Sequence, residues 1–210
     1  GTNRTEPNVR ATEVEIYEGL EASSQNCWPS VEFDIGGINN ILSPFLPAGF
    51  YYKTFMWPAS FWEKYEFFIR HSAGLGKSPT SSDPDIYDHR NVHCDVLVVG
   101  AGISGILAAK NAAKNNFKTL LVDEKNELGG STIYENNEFN KIDNKAPSEW
   151  LKKEIEELKG IKNLEIKTRT SVAAYHQYNY LLAKENLTDH LEAKDKTNKI
   201  RQRLLKIRAK

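Results

Sequence analysis

The alternation of apolar and polar positions predicts that the second half of the chain folds as strands and helices in turn. Residues 95–99 (DVLVV) and 119–122 (TLLV) are short, nearly continuous apolar runs, typical of strands buried on both faces of a parallel sheet. The alanine-rich segment 106–115 between them predicts a helix. Pro147 and Gly160 bracket a second predicted helix, since proline suits a first helical turn and glycine an end. Further strands are predicted at 164–166, 172–175, 178–183 and 204–207, the last after a charged connection at 192–203.

Three segments follow from this pattern. Residues 93–210 are predicted to form a Rossmann-like, FAD- or NAD(P)-binding α/β domain with a parallel sheet. Residues 1–60 form a first region that includes an aromatic-rich, proline-broken stretch at 45–58. Residues 61–92 are predicted to be a helix and a linker, because Ser, Pro and Asp cluster at 77–88.

The first two segments carry two local predictions. Residues 14–17 (VEIY) alternate as a half-buried strand does. Residues 61–70 have apolar positions at helical spacing, and Gly74 and Gly76 follow as stop signals. The aromatic residues around this helix are expected to form a core or a subunit interface, because so apolar a surface is rarely left in water.

Composition narrows the class of protein. Lysine plus arginine number 28 and aspartate plus glutamate number 28, so the formal net charge is zero. This balance argues against a general affinity for nucleic acid or for an anionic membrane surface. No apolar run approaches the roughly 18 residues that a membrane helix needs. Cys27 and Cys94 are too few for a disulfide framework, which predicts an intracellular, cytoplasmic protein.

The motif that carries chemistry is G-x-G-x-x-G at residues 100–105 (GAGISG). A strand leads into it and a helix leads out, which is the context that makes this motif specific. Gly100 allows a tight turn off the strand, and Gly102 lets a pyrophosphate approach the backbone at the helix N terminus. Gly105 lets the helix lie close to the sheet. Ile103 and Ser104 complete the predicted phosphate-binding turn.

An acidic residue at the end of the second predicted strand completes the dinucleotide-binding motif. Asp123 lies 18 residues after Gly105, where a carboxylate can accept hydrogen bonds from the hydroxyls of an adenosine ribose. It would repel a 2′-phosphate, which favours NAD or FAD over NADP. Glu124 is the alternative acid if the register shifts by one residue. The following loop supplies the rest of the predicted site: Lys125, Gly130 and Ser131, with Gly129 beside them.

Metal binding and cysteine redox chemistry have less support in the sequence. His89, His93 and Cys94 could be metal ligands, with His71 or Cys27 completing the set, but zinc sites usually show tight pairs such as C-x₂-C. We therefore predict no metal. The two cysteines are 67 positions apart and form no redox pair.

The end of the chain is basic and carries no acid. Six lysines and arginines lie in residues 199–210, with Leu204, Leu205 and Ile207 between them. This pattern favours a solvated strand face over a nucleic-acid-binding tail. No G-x-S-x-G element or P-loop is present, so hydrolase and NTPase activities have no motif to support them.

Four stretches make the sequence resemble the alpha subunits of heterotetrameric sarcosine oxidases. The stretches are GFYYKTFMWP at 49–58, W-E-x-Y-E-x-x-I-R-x-x-A-G-L-G at 62–76, HCDVLVVG at 93–100 and YHQYNY at 175–180. The resemblance runs from about residue 6 to Lys210. The sequence starts at Gly1 rather than Met and ends inside an apolar-alternating run, so we expect a piece of a longer polypeptide that is inactive and poorly stable alone.

The resemblance implies a fold and an activity. Residues before about 60 would end a small α+β ferredoxin-like domain. The assembled enzyme would demethylate sarcosine oxidatively to glycine, using O₂ and tetrahydrofolate and releasing H₂O₂. Its partners would be beta, gamma and delta subunits, with FAD and FMN in the complex and tetrahydrofolate on a region beyond Lys210. The dinucleotide domain would hold NAD through Gly100, Gly102, Gly105, Asp123 and Glu124, and no residue of this chain would be catalytic.

The residues themselves leave alternatives open. They indicate an ADP-binding half-site and do not separate NAD from FAD, and Gly129–Gly130 favours FAD. A self-contained FAD-dependent NADH oxidoreductase is one alternative. A subunit of an opine oxidase or of hydrogen cyanide synthase is another, because these proteins share parts of the motifs. A non-catalytic structural subunit with a scaffold NAD is the third.

Overall fold

The computed structural model describes residues 9–24, 26–45, 49, 55–75, 82–135, 140–192 and 198–210. The chain divides into two compact units, Gly1–Pro84 and Asp85–Lys210. The boundary that the sequence predicted, between residues 92 and 93, instead lies inside a strand of the second unit.

The first unit consists of short helices in its described residues. Single 3₁₀ turns occur at Ala11–Glu13, Ile35–Gly37, Ser43–Phe45 and Ala59–Phe61, and the α helices are α1 (Ile38–Leu42) and α2 (Trp62–Ser72). The prediction of a helix at 61–70 is confirmed by α2. The strand predicted at 14–17 is wrong: these residues pair with no other strand, and Ile16 is 87% exposed. The described residues of this unit include no strand, so the ferredoxin-like region stays a prediction.

Most aromatic residues of the first unit are exposed in the part that the structure describes, and none of them is buried. No residue of α2 is buried, and Trp57, Trp62, Phe67 and Phe68 are all more than half exposed. Residues 50–54 of the aromatic stretch lie outside the described residues. The described aromatic residues therefore form no core by themselves, and their use as a subunit interface stays a prediction.

The second unit contains the expected parallel sheet. Its strands are β2 (Val96–Val99), β3 (Thr119–Val122) and β4 (Leu164–Lys167), in the order β2-β3-β4. Helix α3 (Ile103–Lys114) connects β2 to β3, and helix α4 (Pro147–Lys159) precedes β4. The two helices pack on one face of the sheet, where Ile106, Leu121, Leu151 and Leu158 share a core cluster. The predicted β-α-β unit is confirmed.

A second, mixed sheet covers the other face. It consists of β1 (Ile86–Cys94), β5 (Thr170–His176), β6 (Tyr180–Asn186) and β7 (Ile200–Ala209), in the order β1-β7-β6-β5. Strand β1 is parallel to β7, and the other two pairs are antiparallel. Apolar residues of this sheet, Leu181, Ala183, Leu205 and Ile207, pack with Leu120 and Val122 in a second core cluster, away from the helices.

The structure corrects three predictions about this sheet. Residues 86–92, predicted as part of the linker segment, form most of β1, and β7 begins at Ile200 rather than 204. The last strand is also not simply a solvated basic face, because Arg201 and Arg203 point inward. Arg201 pairs with Asp85 (3.0 Å) and Asp189 (2.8 Å), and Arg203 pairs with Asp88 (2.8 Å) and Glu185 (3.2 Å). The pairs with Asp85 and Asp88 span 116 and 115 residues, so no local sequence pattern predicts them.

Candidate dinucleotide-binding site

The candidate site lies at the carboxyl edge of the parallel sheet, where β2 ends and α3 begins. Gly100 turns the chain with φ of 94°, and its N–H donates to the carbonyl oxygen of Val122 in β3 (2.8 Å). Gly102 is the N-cap of α3, and no side chain caps this helix. A Cβ atom on Gly100 or Gly102 would meet no heavy atom within 4 Å, so the space above both residues is open.

The first turn of α3 offers backbone donors to this open space. Its residues are Ile103, Ser104 and Gly105. The N–H groups of a first helical turn have no carbonyl partner within the helix, and the helix dipole favours an anion there. The turn is therefore suited to a phosphate group.

Gly105 fixes how closely α3 approaches the turn. A Cβ atom on Gly105 would lie 1.8 Å from the carbonyl oxygen of Gly100 and 3.0 Å from its carbonyl carbon. Both atoms belong to the backbone, so no side-chain movement can relieve the overlap. The role predicted for the third glycine, close packing of the helix, is what the geometry requires.

Asp123 connects the second strand to the glycine turn. It follows β3 directly, and its Oδ2 atom accepts a hydrogen bond from the Ala101 N–H at 2.5 Å. Its Oδ1 atom accepts one from the Lys125 N–H at 2.8 Å. A carboxylate has about four acceptor positions, so each oxygen can still accept a hydrogen bond from a ligand hydroxyl. Glu124 and Lys125 are exposed in the loop that follows.

The loop after Asp123 returns across the turn. The Gly129 N–H donates to the Ala101 carbonyl oxygen at 2.7 Å. A Cβ atom on Gly130 would be 3.2 Å from the Cα atom of Gly102. Ser131 follows in the 3₁₀ turn Gly130–Tyr134 and is exposed. The structure thus brings all the predicted site residues to one edge of the sheet, and their role in binding stays a prediction.

Two residues at this edge were not predicted. The Thr170 N–H donates to the Asp123 carbonyl oxygen (2.7 Å), and the Arg169 N–H donates to that of Lys125 (2.8 Å). Arg169 adopts a left-handed backbone conformation with φ of 51°. Both residues follow β4, and strands of a parallel sheet end at the same edge. That rule, applied to the strand predicted at 164–166, would have identified them.

Ion pairs fix α3 against α4 behind the site. The Lys110 Nζ atom lies 2.5 Å from Glu154 Oε2 and 2.7 Å from Glu157 Oε2. The hydrogen bond to Lys110 lowers the pKa of Glu157 to about 2, and the hydrogen bond to Glu154, with that to Glu157, raises the pKa of Lys110. These contacts hold the helix whose N terminus forms the site.

Neither a metal cluster nor a membrane-spanning helix is found in the described part of the chain. No group of three or more His, Cys, Asp or Glu side chains there is arranged to hold a metal ion. No helix there is both long and apolar enough to cross a membrane. A cavity of about 320 Å³ is lined in part by Arg90 and His93 of β1, by Lys118 and by Lys167 of β4, and it includes none of the predicted site residues.

A parallel sheet with a glycine turn, an uncapped helix N terminus and an acid on the next strand defines a dinucleotide-binding domain of the α/β class. The profile of the FAD dependent oxidoreductase family matches residues 95–201, about half of the chain. The chain belongs to this family, and the predicted fold class of the domain is confirmed.

Individual relatives agree with the resemblance. "Sarcosine oxidase subunit alpha" of Rhizobium meliloti (strain 1021) is 48% identical over 189 residues, which are 90% of this chain and 19% of that protein. The same subunit of Corynebacterium sp. (strain U-96) is 38% identical over 66% of this chain and 14% of that protein. L-proline dehydrogenase from P. horikoshii, a solved structure, is 19% identical with a TM-score of 0.41, over 64% of this chain and 25% of that one. The predicted similarity to sarcosine oxidase alpha subunits is confirmed, and the chain spans less than a fifth of their length.

Proposed function

We propose that this chain is the dinucleotide-binding segment of the alpha subunit of a multi-subunit sarcosine oxidase. The observation that carries the proposal is the position of the Asp123 carboxylate, hydrogen-bonded to Ala101 in the turn that leads into α3. A pyrophosphate on the first turn of α3 would leave the adjoining ribose within reach of this acid. The 48% identity to a sarcosine oxidase alpha subunit supports the choice of enzyme.

The proposed occupant is NAD, held through its ADP half. Gly100, Gly102 and the first turn of α3 would bind the pyrophosphate, and Asp123 and Glu124 the ribose. Lys125, Gly130 and Ser131 would line the adenosine and pyrophosphate. The residues present fit such a group, because the space above Gly102 is open and the carboxylate retains acceptor positions.

FAD is the second candidate for the same site. Two observations favour it: the match to a family described as FAD dependent, and the passage of Gly129–Gly130 across the glycine turn. Both cofactors share the ADP half that this site would recognise. The half of the cofactor that differs, the nicotinamide of NAD or the flavin of FAD, therefore decides whether redox chemistry takes place here or on a partner.

In the proposed enzyme the reaction is the oxidative demethylation of sarcosine to glycine, with O₂ and tetrahydrofolate consumed and H₂O₂ released. The chain would assemble with beta, gamma and delta subunits into a heterotetramer that contains FAD and FMN, and tetrahydrofolate would bind a region beyond these residues. No residue of this chain is proposed to be catalytic. The free cysteines Cys27 and Cys94 support a cytoplasmic location.

The first experiment identifies the nucleotide that the full-length protein carries. The purified protein is denatured, and the released nucleotide is identified by chromatography and mass. NAD from this subunit, with flavin released only when partner subunits are present, supports the proposal. FAD from this subunit alone would instead favour a self-contained FAD-dependent oxidoreductase.

Turnover of the assembled complex separates the remaining alternatives. Oxidation of sarcosine, compared with that of opines and glycine, tests the amine substrate. Activity that persists in the Asp123→Ala complex, after its nucleotide is lost, would favour a structural subunit with a scaffold dinucleotide.

A further inference from the structure

The mixed sheet has one face that carries positive charge and no acid. Its four strands contain two acidic residues, Asp88 and Glu185, and both lie on the inner face beside Arg203. The strand register places the residues of the outer face in rows across the sheet. These rows are His93-Arg208-Tyr180-His176, Asn91-Lys206-Leu182-Ala174 and His89-Leu204-Lys184-Ser171.

The cations of this face are not neutralised by the described part of the chain. Lys184 and Lys206 form no ion pair with any described residue. Arg208 donates to the Tyr178 carbonyl oxygen (2.8 Å) and lies over the Tyr180 ring, 5.0 Å from its centroid. The whole chain has equal numbers of acidic and basic residues, so the excess of positive charge on this face is a local feature of the sheet.

We propose that this outer face docks against an acidic surface of a second, different polypeptide. The first argument is charge complementarity: carboxylates on the partner would pair with Lys184, Lys206 and Arg208. Apolar and aromatic groups lie between these cations, including Leu204, which is 40% exposed, and Tyr180. A mixture of arginine, tyrosine and leucine among cations is typical of the core of a protein interface.

The size of the face indicates that the hairpin beside it takes part. Three strand spacings of about 4.8 Å and six residues of about 3.3 Å give roughly 14 Å by 20 Å, or about 300 Å². A standard interface buries about 800 Å² on each partner, so the sheet face alone is too small. The β5–β6 hairpin adjoins the first row, and Tyr178 in its turn is 86% exposed. This ring would extend the same surface.

Two other occupants fit less well. Nucleic acid would find only three permanent positive charges here, whereas tight binding usually uses about 6–10 phosphate contacts. A second copy related by a two-fold axis would place the same patch against itself, which brings like charges together. The inference goes beyond the proposed function, because it depends on the mixed sheet and not on what occupies the dinucleotide site.

The test is lysine footprinting of the full-length protein in the assembly in which it purifies. Amine acetylation of Lys184 and Lys206 is compared with that of Lys145 and Lys152, which are exposed just before and within α4. Each rate is divided by the rate after dissociation in 1 M NaCl. We expect Lys184 and Lys206 to be protected at least about fivefold, with zero-length amine–carboxyl cross-links from them to Asp or Glu of a different polypeptide.

Each other result overturns the inference. Acetylation of Lys184 and Lys206 at the rate of the two control lysines would show that the face is free. Cross-links to the same chain, or to a second copy of it, would identify another occupant. Protection that disappears after nuclease treatment would indicate nucleic acid. None of these readouts depends on bound dinucleotide or on sarcosine turnover, so the proposed function can fail without affecting them.

A charge-reversal variant adds an independent measurement. Lys184→Glu/Lys206→Glu in the full-length protein should weaken assembly at least about tenfold, and Lys145→Glu/Lys152→Glu should leave it unchanged. Equal assembly of the two variants would contradict the docking inference.

Discussion

The carboxylate of Asp123 accepts a hydrogen bond from the backbone N–H of Ala101, with 2.5 Å between Oδ2 and N. This bond crosses from the end of β3 to the turn between β2 and α3. It places the acid and the glycine turn next to each other. The acid therefore holds the turn in position, and we propose that it also receives the ribose of a dinucleotide.

The first prediction follows from this double role. Asp123→Ala in the full-length protein should lower affinity for the dinucleotide about 10- to 100-fold, because hydrogen bonds to a charged group contribute about 1.5–3 kcal/mol. Glu127→Ala, an exposed change in the same loop, is the control. Calorimetric titration of the nucleotide-free protein measures both affinities. Equal affinities in the two variants would mean that Asp123 does not contact the ligand.

A pair of glycine substitutions separates packing from ligand approach. Gly105→Ala should destabilise the second unit by about 1–3 kcal/mol or more, because its methyl group would lie 1.8 Å from the Gly100 carbonyl oxygen. Gly102→Ala has open space and a φ of −69°, so it should leave stability nearly unchanged and weaken dinucleotide binding. Hydrogen exchange in α3, together with nucleotide titration, distinguishes the two effects. A stable Gly105→Ala protein would contradict this account of the third glycine.

The core of the site was accessible to sequence reasoning because its signals are local. The turn at residues 100–105, the buried strands beside it and Asp123 all lie within about 30 residues, the span of one β-α-β unit. Strand β1 could not be predicted in this way, because its sequence (IYDHRNVHC) is polar and it lies at a sheet edge. Its inward Asp88 is neutralised by Arg203, 115 residues later. A contact of that range can be found only once the two strands are placed side by side.

The ion pairs behind the site predict an acid-sensitive contact between α3 and α4. Lys110 lowers the pKa of Glu157 from 4.5 to about 2, so the folded state holds the charged carboxylate more strongly than the unfolded state does. The stabilisation is therefore complete above about pH 4.5 and is lost as the pH falls towards 2. Glu157→Gln should make the two helices less stable than wild type at pH 6, and this difference should shrink as the pH approaches 3.

Hydrogen exchange of α3 and α4 amides, corrected for the intrinsic rate at each pH, measures this effect in the full-length protein. Glu156→Gln is the control, because its carboxylate is 72% exposed and its ion pair among the described residues is with Lys159 of the same helix. A difference between wild type and Glu157→Gln that stays constant from pH 6 to pH 3 would rule out the pairing with Lys110 as its cause.

The last prediction concerns Glu185, which links the two sheets electrostatically. Its carboxylate lies 3.0 Å from Lys167 Nζ of β4 and 3.2 Å from Arg203 Nη1 of β7, and all three side chains are less than a fifth exposed. Glu185→Ala removes the anion that these two cations share, while Lys167 keeps Glu165 (3.3 Å) and Arg203 keeps Asp88 (2.8 Å), so we expect a cost of about 1–3 kcal/mol. Lys199→Ala, exposed just before β7, should change stability by no more than about 0.5 kcal/mol. Exchange of the β6 and β7 amides in the full-length protein compares the two variants. Glu185→Gln keeps the size of the side chain and a hydrogen-bond acceptor but removes the charge, so it should also lose stability, though less than Glu185→Ala. A Glu185→Gln protein as stable as wild type would show that side-chain packing, rather than charge, dominates at this position.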